Sequence, residues 1–229
     1  MLWYKNWFEI RWGALYIMLV WIGLAAFFVS LDFLGIKSSV PNLAPNYGFV
    51  ILTACYGFVF LAGSGVETHI MGLMSVPSAR TTVYTLSLPV TRRRLVLTRS
   101  AVGLAAVIVA NLPFELFVWD FLLEKATIYD LTIPFLEVTI FGVCMYCLVT
   151  LLSTIIRGGL LIPVAFTVAF VCLVIATGEW APPALQILTV AGIPIGTRVP
   201  IPWLPMIIYL VVGAIFLFTA IKIVDSRDY

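Results

Sequence analysis

Hydrophobic residues run along this chain in long blocks and do not alternate with polar ones. Stretches such as AVGLAAVIVANL from Ala101 and GGLLIPVAFTVAFVCLVI from Gly158 lack the two-residue alternation of barrel strands. Crossing about 30 Å of hydrocarbon takes roughly 20 apolar residues in a helix. Six runs between charges or Pro/Gly clusters meet that requirement: Gly13 to Leu34, Tyr47 to Val66, Ser100 to Leu123, Thr132 to Ile156, Leu160 to Thr177 and Leu204 to Ile221. The pattern predicts an all-α integral membrane protein of six spans, folded as a single domain over residues 1–229. The first run is longer than the core of a secretory signal and no small-x-small cleavage site follows it, so it is expected to stay as an anchor.

Composition agrees with the pattern. The 229 residues are 62% hydrophobic and 10% charged, against about 25% charged in a soluble domain. So few charges cannot cover the surface of a water-soluble globule. The net charge of +2 is mild and the cations fall in a few clusters, which excludes nucleic acid as a partner.

Those clusters orient the chain. In the six-span arrangement Lys5, Arg11, Arg80, Arg92, Arg93, Arg94, Arg99, Arg157, Lys222 and Arg227 share one side, and Lys37, Lys125 and Arg198 the other. The excess of Lys and Arg marks the cytoplasmic side, which predicts that both termini are cytoplasmic. Cys55, Cys144, Cys147 and Cys172 all fall inside predicted spans, away from any oxidising compartment, so a disulfide framework is not expected. Cys144 and Cys147 share a helix face by spacing, but a metal site lacks its third and fourth ligands nearby, and they read as small apolar helix residues.

Several membrane chemistries fail for want of parts. There is no GxxxxGK[ST] to cradle nucleotide phosphates, so the chain alone is not expected to hydrolyse ATP. Gly63-Ser64-Gly65 and the one histidine, His69, invite comparison with intramembrane serine proteases. Five residues apart at one span's end, however, the Ser and His cannot aim well at each other. No catalytic, metal or cofactor site is predicted.

The most informative stretch runs from Glu67 to Arg99 on the cytoplasmic side, far longer than the connection at Arg157-Gly158-Gly159. It carries SxPxxR twice, at Ser75–Arg80 and Ser87–Arg92, and each copy could begin a short surface helix with proline in its first turn and Ser87 or Thr91 as cap. Taken alone, Arg92, Arg93 and Arg94 equally suit a topology signal that contacts anionic headgroups, worth about 1 kcal/mol each.

Residues Tyr84-Thr85-Leu86-Ser87-Leu88-Pro89-Val90-Thr91-Arg92-Arg93-Arg94-Leu95 closely resemble the "tLSLPVsRrrl" segment of the membrane subunits of type-2 ABC exporters. In that family a Glu after the second span precedes the segment, and Glu67 stands in the matching place. The resemblance implies a cytoplasmic coupling region, here Glu67, Leu86, Ser87, Leu88, Pro89, Arg92, Arg93 and Arg94, that docks on a separate P-loop ATPase subunit. ATP and Mg would then be bound by that partner and not by this chain. Where the family has an Arg/Gly-rich approach to the motif, this chain has the earlier SxPxxR copy; the later copy is favoured for docking. The aromatic and charged residues 1–12 look like the family's N-terminal interfacial helix, and aromatic rings suit headgroup depth on physical grounds too. The Pro-rich connection 178–202 has pieces too short to cross, such as ALQILTVAGI, and family members carry re-entrant helices there. The end, Asp225-Ser226-Arg227-Asp228-Tyr229, is similar to the family's short tail.

Acids inside spans are costly and therefore suspect. Asn111 and Glu115, beside Pro113 on the third span, form a candidate transport path, since Pro113 would free a backbone carbonyl one turn earlier. The plainer reading places Glu115, Asp120 and Glu137 at the outer interface, in reach of water. The chain is thus expected to be a permease subunit of an ABC exporter in a bacterial plasma membrane, paired with a second copy or a paralogous permease. Its rival is a membrane scaffold or assembly factor that binds anionic lipid and transports nothing.

Overall fold

The computed structural model describes residues 11, 14–20, 22–23, 26, 92–122, 128–156, 161–177, 182–187 and 202–226. Their secondary structure is helical: a piece at residues 14–20, then α1 (Arg92–Leu122), α2 (Ile128–Ile155), α3 (Leu161–Thr177), one 3₁₀ turn at Pro183–Leu185, and α4 (Trp203–Ser226). At 1.5 Å per residue α1, α2 and α4 run about 46, 42 and 36 Å. Each exceeds the hydrocarbon thickness, and the apolar stretches Val96–Pro113, Phe135–Ile155 and Trp203–Ser226 are long enough to cross a membrane. α3, with 17 residues, extends about 26 Å and is shorter than those three.

These helices overlie the third to sixth predicted runs. The main difference is at the start of α1, which begins at Arg92 and not at Ser100. Arg and Leu are good helix formers, and nothing in Arg92–Arg99 breaks the ladder, so the helix extends past the edge of the apolar run. The first predicted run is helical at residues 14–20, 22–23 and 26. The second run, the interfacial segment apart from Arg11, and His69 with Gly63-Ser64-Gly65 lie outside the described residues.

Connection length and side-chain register set the topology. Five residues separate α1 from α2, and Gly103 meets Tyr146 at nearly equal distance along each helix from that connection, so the two helices pair antiparallel. α4 runs parallel to α2: Phe141 meets Tyr209 with ring centroids 5.9 Å apart, and three residues on, Cys144 lies against Gly213. α2 is the hub, touching α1, α3 and α4.

Lipid is as apolar as leucine, so packing and small residues bring such helices together. A Cβ on Gly213 would stand 3.3 Å from the Cys144 Cα, which makes the glycine the point of closest approach of α4 to α2. Gly103 on α1 does the same for α2, because the Tyr146 ring and hydroxyl occupy the space a side chain would need. α3 turns Ala165, Ala169, Leu173 and Ala176 inward. Phe141, Met145, Val107, Ile17 and Ile187 complete the core.

α4 buries Pro205, Met206, Gly213, Ala220 and Val224 and exposes Trp203, Ile207, Val211, Ile215 and Phe218, the last at 68%. An apolar face on that scale is what a lipid-bathed helix presents. Most of the described helix hydroxyls bond their own backbone, as the absence of water in lipid favours. Thr98 donates to the Arg94 carbonyl at 2.9 Å, Thr150 to Tyr146 at 2.8 Å, Thr167 to Pro163 at 2.8 Å and Thr219 to Ile215 at 2.8 Å.

Candidate functional site

Two regions carry the sequence-predicted residues. Of the residues expected to couple to a partner, Glu67, Leu86, Ser87, Leu88 and Pro89 lie outside the described residues. Arg92, Arg93 and Arg94 form the first turn of α1, and the Arg93 and Arg94 side chains are exposed. Three cations at a helix N-terminus oppose the macrodipole, and no acid in this turn offsets them. That is locally unfavourable and suits a surface that meets anionic groups from outside the chain. Further along α1, Arg99 lies within electrostatic reach of buried Tyr146.

The second region is the far end of the α1–α2 hairpin. Asn111 on α1 is 0% exposed. Glu115 follows four residues later on the same helix, past the buried Pro113. Pro113 has no N–H, so the Val109 carbonyl lacks its helical donor and α1 is most easily bent there.

Across the seam, register identifies one further residue, Thr139. Gly103 opposite Tyr146 fixes the antiparallel pairing, and seven residues along α1 and seven back along α2 bring Ala110 opposite Thr139, next to Asn111. Seven residues are close to two turns, so Thr139 shares the α1-facing side of Tyr146. Thr139 is 8% exposed, and its Oγ1 is buried with no hydrogen-bond partner. This departs from the carbonyl-bonded threonines and serine hydroxyls elsewhere in these helices.

Glu137 lies four residues before Phe141 and so on the side of α2 that meets α4, at the level of Pro205 and Met206 by the α2–α4 register. It is 0% exposed. The expectation that Glu137 reaches water is therefore corrected: its side chain is wholly buried within the packed helices. Asn111 was legible as a polar residue in a span. Thr139 was not, since a threonine in an apolar helix ordinarily bonds its own backbone.

The connection between α3 and α4 packs back beside this end. The Tyr209 hydroxyl donates to the Leu185 carbonyl at 3.0 Å, and Ile187 is wholly buried. Tyr209 lies six residues inside α4, so residues 182–187 lie alongside that helix and do not merely cap it. The rest of 178–202, apart from Pro202 at the start of α4, lies outside the described residues.

Cys144 and Cys147 are buried and Cys172 partly buried, all as free thiols. Among the described residues no three His, Cys, Asp or Glu gather at metal-binding distance. Comparison with protein-family models, curated proteins and solved structures found no match to this chain.

Proposed function

We propose that this chain is the membrane subunit of a type-2 ABC exporter, working as a pair of permeases with two P-loop ATPase subunits in a bacterial plasma membrane. The carrying observation is the segment Tyr84–Leu95, which leads without interruption into the first turn of α1 at Arg92. A helix of about 46 Å that follows a docking segment, with an unbroken ladder up to Pro113, can carry movement from a cytoplasmic partner deep into the membrane. In this reading Glu67, Leu86–Pro89 and Arg92–Arg94 meet the ATPase, which binds ATP and Mg.

The six-span arrangement, with residues 1–12 in the inner interface, both termini cytoplasmic and 178–202 dipping into the outer leaflet, belongs to the same proposal. Two features support it. α1 and α2 are antiparallel while α2 and α4 are parallel, as alternating spans require. Residues 182–187 lie alongside α4 through Tyr209. Asn111 and Glu115 stand at the outer end of α1 as candidates for the path.

The exposed arginines favour a second reading, a scaffold that binds anionic lipid. Purification of the tagged chain from native membranes in mild detergent, with mass spectrometry of what accompanies it, separates the two. A stoichiometric P-loop ATPase is expected. Its absence, under conditions where a known exporter stays intact, would favour the scaffold.

A further inference from the structure

We draw no further inference here: the strongest candidate, the apolar face that α4 turns outward from Trp203 to Phe218, is an unpartnered face that lipid alone suits, and nothing in the structure shows what else covers it.

Discussion

Single atoms decide how closely these helices approach, and Gly103 is the clearest case. A methyl group there would fall on the Tyr146 hydroxyl and ring, and a tyrosine wedged between two helices cannot swing clear cheaply. Gly103→Ala is expected to destabilise the protein by about 1–3 kcal/mol, the ordinary cost of overpacking. Trimming the ring with Tyr146→Leu should restore part of the loss, a coupling that a double-mutant cycle in a detergent unfolding assay would measure. Additive effects would mean that the two residues do not share the seam. Tyr209 is simpler, since its hydroxyl donates to the Leu185 carbonyl and so ties α4 to the 3₁₀ turn. Tyr209→Phe should cost about 1 kcal/mol and loosen residues 182–187 first, which hydrogen exchange at Gln186 and Ile187 would report.

At the scale of elements, the hub position of α2 depends on two glycine contacts on different sides. Gly213 lies 3.3 Å, from its would-be Cβ, off the backbone of α2, and that neighbour cannot move without shifting the helix. Gly213→Val should therefore push α4 from α2, lower the unfolding temperature and leave α1–α2 pairing intact. Cysteine cross-linking between the helices would show which pair had separated.

The helices themselves were legible from block hydrophobicity, because a bilayer demands an apolar surface all round and the chain has few ways to provide it. The start of α1 was less so: Arg92–Arg99 end the apolar run without ending the helix, since backbone hydrogen bonds continue where hydropathy stops. The parallel pairing of α2 with α4 was not legible at all. It rests on which small residue faces which, at Gly213 and Cys144, and helices apolar on every face carry no stripe from which to read that choice. For the same reason Asn111 could be found as a polar residue in a span, while the burial of Glu137 appeared only once α4 was seen against it.

For the whole molecule, the question is how movement at one end of α1 reaches the other. α1 begins with Arg92, Arg93 and Arg94 and ends beyond Pro113, with the polar seam at Asn111 and Thr139 near that far end. A helix transmits displacement well only while its hydrogen-bond ladder is continuous, so in the proposed exporter a push at the arginines would arrive at Val109 largely intact and be converted to bending at the proline. Two substitutions should then fail differently. If the chain is the proposed exporter subunit, replacing Pro89 and Arg92–Arg94 with alanine is expected to leave ATPase activity of the assembled complex near its basal rate while abolishing its stimulation by substrate and the transport that follows. Pro113→Ala restores the missing bond and stiffens α1. In the same reading it should preserve ATPase docking and lower transport several-fold, because α1 would no longer bend where the missing bond lets it. Transport and ATPase measured together in proteoliposomes distinguish the two. If Pro113→Ala transported as well as the parent chain, bending at that point would not be part of transport. If the arginine variant changed only lipid binding, the first turn of α1 would be a membrane contact and the ATPase would have to dock elsewhere.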